Sequence, residues 1–153
     1  MRKILFAVAA CALLLAGGTP AAAAPKACVA RASDGADVTA TIKAFFAAIQ
    51  RADLPAAAAL TTPVFHAFDV QKHFTGPGLF EMIGAAQKQG ATLEFGIGPV
   101  ETHVDCNFAW AVWQNDGKIS ANPTRWLESA MLRRTTKGWR LEFYHSTMVD
   151  LRR

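Results

Sequence analysis

A chain of 153 residues that is 52% hydrophobic and 18% charged, with a formal net charge of +4, is too apolar and too weakly charged to stay disordered. Beyond the Arg2-Lys3 start its cations are scattered, with clusters only at Arg133-Arg134 and Arg152-Arg153, so the basic footprint of a nucleic-acid binder is missing. The length suits one domain with a real core, and no repeat period is visible.

The first residues read as a leader. Met1-Arg2-Lys3 is charged, Ile4 to Leu15 is an uncharged apolar run, and Gly17-Gly18-Thr19-Pro20 breaks it before an alanine tract. That order is a secretory signal peptide, cut after Ala23, and the run is too short for a spanning helix. The expectation is export to the periplasm or the exterior, with no membrane attachment once residues 1–23 are gone. Losing Arg2 and Lys3 from sixteen Lys and Arg leaves fourteen against twelve acidic residues. The mature chain keeps two thiols, Cys28 and Cys106, which in an oxidising compartment form either one bridge or two free cysteines. Chain entropy values such a bridge at roughly 4 kcal/mol.

Residues 24–36 read as an N-terminal arm, and the domain proper as 37–150. Asp37 is placed to cap a helix in which Val38, Ile42, Phe45, Phe46 and Ile49 make one apolar stripe. Asp53-Leu54-Pro55 starts a short alanine-rich helix to about Leu60, closed by Pro63. Val64 to Phe68 suits a small strand. Thr75-Gly76-Pro77 opens a third helix, with Leu79, Phe80, Ile83 and Ala86 buried and Gly90 as its left-handed stop. Thr92 to Val104 reads as a strand bent at Gly96 and Gly98; a dinucleotide loop would need a third glycine and a following helix. Asp105-Cys106-Asn107 and Asn115-Asp116-Gly117 read as turns around a strand from Phe108 to Gln114, and Trp126–Arg134 and Trp139–Met148 complete the set. Helices followed by strands predict an α+β domain with helices on one face of a bent sheet.

In the last strand Trp139, Leu141, Phe143 and His145 alternate. An imidazole that continues an apolar row needs a partner, a cavity or a ligand. This order of elements, with Gly138-Trp139-Arg140-Leu141 and the closing His145-Ser146, resembles the SnoaL-like branch of the nuclear-transport-factor-2-like superfamily over nearly all of Asp37 to Asp150. The resemblance implies a cystatin-like cone: three N-terminal helices on a strongly curved antiparallel sheet of four long strands plus a short one, enclosing a hollow. It implies a homodimer through the outer sheet face. Similar proteins include isomerases, hydro-lyases, cyclases and non-catalytic pocket or association domains, so the fold does not decide the function. The ketosteroid isomerase branch would place a base near His66-Ala67, where no carboxylate stands and Asp69 is nearest. It would place a tyrosine on the first helix, which carries Phe45 and Phe46, and an acid near Ser129-Ala130, beside Glu128.

The residues themselves offer a histidine–carboxylate pair. A two- or four-residue loop in the last hairpin sets Glu128 on the same face as His145, whereas a three-residue loop puts Ser129 opposite His145 and turns Glu128 away. Paired, Glu128 would orient the imidazole and make His145 a general base; with Asp69 these are the candidate catalytic residues, and a structural Glu-His contact is the plainer alternative. Phe46, Phe65, His66, Trp110, Trp126 and Phe143 are the candidate ligand contacts, Trp110 and Trp113 pointing to opposite sides of one strand. No histidine spacing suggests a metal, and no cofactor is expected. The chain reads first as an exported module binding a small, largely apolar molecule. An isomerase or hydro-lyase and a partner-binding accessory protein are the rivals.

Overall fold

The computed structural model describes residues 28–149; the segment read as a leader and the first four residues of the arm lie outside them. Helix α1 spans Asp34–Gln50, α2 Leu54–Ala59 and α3 Gly76–Lys88. Strands β1 (Thr61–Asp69), β2 (Lys72–Thr75), β3 (Leu93–Glu94), β4 (Glu101–Asp105), β5 (Phe108–Ile119), β6 (Asn122–Thr135) and β7 (Gly138–Val149) form one sheet in the order β2-β1-β7-β6-β5-β3, with β4 also on β5. The three helices and the three long strands β5 to β7 follow the expected α+β plan, and every strand pair is antiparallel except β1 with β7, which is parallel.

Local chemistry explains the helix limits. Asp53 caps α2 by accepting from the Ala56 N–H at 3.1 Å, and Thr75 caps α3 by accepting from Gly78 at 3.4 Å. Gly90 takes the left-handed conformation, φ 91°, that ends α3. Helix α1 starts three residues before Asp37. Its first residue, Asp34, is buried where it takes the Arg31 N–H, the Arg134 guanidinium and the Trp139 indole, so a tertiary cluster rather than a capping side chain sets that end. Cys28 and Cys106 are joined by a disulfide, Cα atoms 5.1 Å apart, which pins the arm to the β4–β5 turn.

Several strand limits differ from the sequence expectation. The stretch from Thr92 to Val104 is two separate strands, β3 and β4, and the segment between them is bridged to β5 at Ile97–Asn115. Asn115-Asp116-Gly117 is no turn: β5 runs through it to Ile119, and the chain reverses at Ser120-Ala121. Gly117 permits this because β3 passes so close that a Cβ there would lie 1.9 Å from the Glu94 carbonyl oxygen. Pro63 lies inside β1, at the break in pairing between Thr61 and His66 where its missing N–H does no harm. Strand β2, too polar to announce itself, pairs with the end of β1.

The core lies between the helices and the concave face. Val38, Ile42, Phe45, Phe46 and Ile49 of α1 meet Ala109, Ala111, Ala130, Leu132, Trp139 and Leu141, all buried. At that end the inward residues Ala109, Ala111 and Ala130 are small. Toward the other end the inward residues become large or polar, and a hollow opens.

Candidate functional site

The hollow is a cavity of about 180 Å³ under α1 and α3. Its apolar wall includes Phe46, Leu79, Ile83, Phe95, Trp126 and Met148, and its polar edges are Asp69, Glu128, Tyr144 and Ser146. Trp126 and Glu128 belong to the inward row of β6, which continues to Ala130 and Leu132. Tyr144 and Ser146 are the inward residues of the second half of β7. Asp69 closes β1.

Glu128 is the chemical centre of this arrangement. It is 5% exposed, yet three donors converge on its carboxyl group. The Trp113 indole N–H donates to Oε2, which also accepts from the Asn115 amide at 3.1 Å, and the Tyr144 hydroxyl donates to Oε1 at 2.5 Å. Burial pushes this carboxyl up to about 7; the bonds from Tyr144, Asn115 and Trp113 pull against it, and the Asp69 charge adds to the rise. The result is an acid that changes protonation near neutrality and sits at the boundary between an apolar cavity and a ring of donors, which is what proton transfer or pH-dependent hydrogen bonding to a guest requires. Burial, then the Glu128 charge, hold the Tyr144 phenol well above its ordinary range, so it stays a donor. Burial also raises Asp69, offset in part by the Val70 N–H and by His145.

The predicted pairing of Glu128 with His145 does not form. Strands β6 and β7 turn through Thr136-Lys137, a two-residue loop one position earlier than expected, with Thr135 opposite Gly138. The ladder then slips by one residue between Met131 and Leu132, leaving Glu142 without a partner opposite Phe143–Met131 and Leu141–Leu132. Such a bulge reverses the faces beyond it. Trp139 and Leu141 point inward, but so do Tyr144 and Ser146, while His145 stands opposite Ser129 on the outer face and is exposed. Phe143 leaves the cavity for the same reason.

Of the other candidates, Phe46, Trp126, Asp69 and Glu128 do line the cavity. Phe65 is core, 3% exposed and packed with Phe45 and Phe80. Trp110 is 40% exposed on the outer face, stacked flat on His103 with ring centres 4.0 Å apart; the inward tryptophan of β5 is Trp113. His66 is also outside the cavity, hydrogen-bonded to His73. Asn115, Tyr144 and Ser146 were not anticipated, and Trp113 only as one of two tryptophans pointing to opposite sides of β5. One signal was available for two of them: Ala109, Ala111, Trp113 and Asn115 alternate, and small residues facing a helix mark the inward row.

A more polar cleft of about 490 Å³ at the end of β1 and β7 includes Phe68, Gln71, Lys72 and His145. It shares Asp69, Val70, Ser146 and Met148 with the cavity, so the cavity's mouth lies between the β1–β2 turn and the end of β7. Among the described residues no helix is long and apolar enough to cross a membrane.

The fold recurs in solved structures. A nuclear-transport-factor-2-like family protein from Streptomyces avermitilis is similar with a TM-score of 0.69 at 16% identity, over 76% of this chain and 97% of that one. A ketosteroid isomerase-like protein from Erwinia carotovora atroseptica is similar with a TM-score of 0.63 at 18% identity, over 79% and 99%. An uncharacterised protein with a cystatin-like fold from Caulobacter vibrioides gives 0.65 at 17%, over 78% and 92%. At these identities the likeness shows the fold alone. No curated protein matches the sequence. The family model described as a SnoaL-like domain matches residues 38–150, and the chain belongs to that family.

Proposed function

We propose that this domain binds a small, largely apolar molecule in the cavity, with the Glu128–Tyr144 edge reading a single polar group on it. The observation that carries this is the cavity's make-up: an apolar wall interrupted by one buried, donor-ringed carboxyl. An apolar cavity of about 150 Å³ accepts benzene, so about 180 Å³ suits a guest of one ring bearing a carbonyl or hydroxyl. Below its titration Glu128 offers a proton to a guest's oxygen; above it, the carboxylate accepts from a guest's hydroxyl.

The test is nuclear magnetic resonance with a panel of single-ring ketones and phenols. Saturable shifts should concentrate on Trp126, Tyr144 and the α3 face, and Ala86→Phe, which fills the cavity, should abolish them. A panel that leaves these signals unmoved, or moves them equally in the filled variant, overturns the proposal. A second reading, an isomerase or hydro-lyase, is favoured by one fact: a carboxyl near neutrality beside the cavity, with Asp69 rather than an imidazole as the second acid. Turnover lost in Glu128→Gln while binding survives would establish it.

The proposal extends to where and how the domain acts. The joined Cys28–Cys106 pair supports an exported protein, as does the leader-like start. The exposed apolar side chains Trp110, Val112, Leu127 and Met131 on the outer face support a homodimer formed there. Sedimentation of Leu127→Lys, with a dimeric wild type and monomeric variant expected, tests the latter.

A further inference from the structure

On the outer face, away from the cavity wall, two histidines of the β1–β2 hairpin meet. His66 lies opposite Thr75 and His73 opposite Phe68, so the two imidazoles are diagonal neighbours across the antiparallel pair. His66 Nδ1 is 3.0 Å from His73 Nε2, and the rings are near-parallel at 20° with centres 5.0 Å apart. The Phe68 ring stands beside them, 5.1 Å from His73, and limits the rotation of that imidazole. His66 is half-buried and His73 exposed, which leaves one side of the pair open to water.

The geometry points to a bidentate site for a divalent transition-metal ion, with His66 Nδ1 and His73 Nε2 as its two protein ligands. Imidazole nitrogens bind such ions at about 2.0–2.1 Å. Two of them at a right angle are then about 2.9 Å apart, whereas a tetrahedral angle separates them by about 3.3 Å. The observed 3.0 Å is a hydrogen-bonded separation within a few tenths of an ångström of either value, so small ring rotations bring both nitrogens to one ion, and imidazole ligands suit Cu(II), Ni(II) and Zn(II) alike. Coordination replaces the shared hydrogen bond: each neutral ring keeps its one N–H on its other nitrogen, Nε2 of His66 and Nδ1 of His73, and both lone pairs turn to the ion. Among the described residues no group of three or more His, Cys, Asp or Glu side chains is placed around a common point, so water completes the shell. The turn between the two ligands is Asp69 to Lys72, whose Asp69 and Val70 line the cavity mouth; the ion would tie together the two strands that hold that mouth. This site is independent of the guest proposed above.

The probe is Cu(II) added to untagged protein at mildly alkaline pH and followed by electron paramagnetic resonance. One saturable site with splitting from two imidazole nitrogens is expected. His66→Ala and His73→Ala should each remove one nitrogen and weaken binding at least about tenfold, since losing even a supporting partner of a metal ligand costs that much. His103→Ala and His145→Ala should leave the spectrum unchanged. Circular dichroism checks that the variants fold, as substitutions on this exposed edge allow. Copper held as tightly by the protein lacking both His66 and His73, or no saturable binding by the wild type, overturns the inference.

Discussion

Replacing Glu128 with glutamine isolates the cost of keeping a charge in this fold. The carboxyl's ordinary value of 4.5 is pushed up to about 7 by burial. At about 1.36 kcal/mol per pH unit, the ionised side chain therefore destabilises the folded state by about 3 kcal/mol. Below about pH 4.5 both folded and unfolded chains hold the proton and the stability is fully present. Between there and about pH 7 the unfolded chain releases its proton first, so stability falls as pH rises; above about 7 the loss is complete. Glutamine fits the same contacts: its oxygen at the Oε2 position accepts from Trp113 and Asn115, and its amide donates to the Tyr144 oxygen. Urea denaturation of both proteins from about pH 4 to pH 8 should show the variant gaining about 3 kcal/mol on the wild type across that range. Other titrating groups, such as Asp69, cancel in the difference. Parallel stability curves would refute the argument, because they would mean that Glu128 is no harder to ionise here than in the unfolded chain.

Tyr144→Phe removes one donor from the carboxylate and should cost about 1–3 kcal/mol, while moving the Glu128 transition to higher pH in the same titration. Reducing the Cys28–Cys106 bridge, which spans 78 residues, should lower stability by about 4 kcal/mol on the chain-entropy account, read from urea curves with and without reductant. Gly117→Ala forces a Cβ against the Glu94 carbonyl and should cost about 1–3 kcal/mol, with fast hydrogen exchange at Leu93 and Ile119 as β3 lifts away.

What the sequence disclosed depended on whether a feature was local. The stripe on α1, the Asp53 and Thr75 caps and the Gly90 stop are written within a few residues of where they act, and the structure has the stripe buried and both caps bonded. Glu128 was identifiable because it interrupts an inward row that includes Trp126 and Ala130. The faces of β7 were not legible, because Glu142 resembles any other strand residue and only the slipped ladder reveals it as the extra one. That single residue exchanged His145 for Tyr144 at the cavity. Asn115-Asp116-Gly117 has turn chemistry, but the close passage of β3 gives its glycine a different use. The parallel contact of β1 with β7 joins segments far apart in sequence and left no local trace.

The turn that bounds the cavity mouth is built from unexpected residues. With Asp69 opposite Lys72, the two-residue reversal at Val70-Gln71 places both at positive φ, 42° and 62°, where asparagine and glycine are the customary occupants. A β-branched residue in that region is an outlier, and each side chain there costs about 1–2 kcal/mol. Redesigning the pair as Asn-Gly should harden the hairpin and raise the unfolding temperature, while stripping the entrance of the isopropyl group that Val70 extends over it. Thermal robustness and the shape of the doorway are thus coupled in opposite directions at one dipeptide.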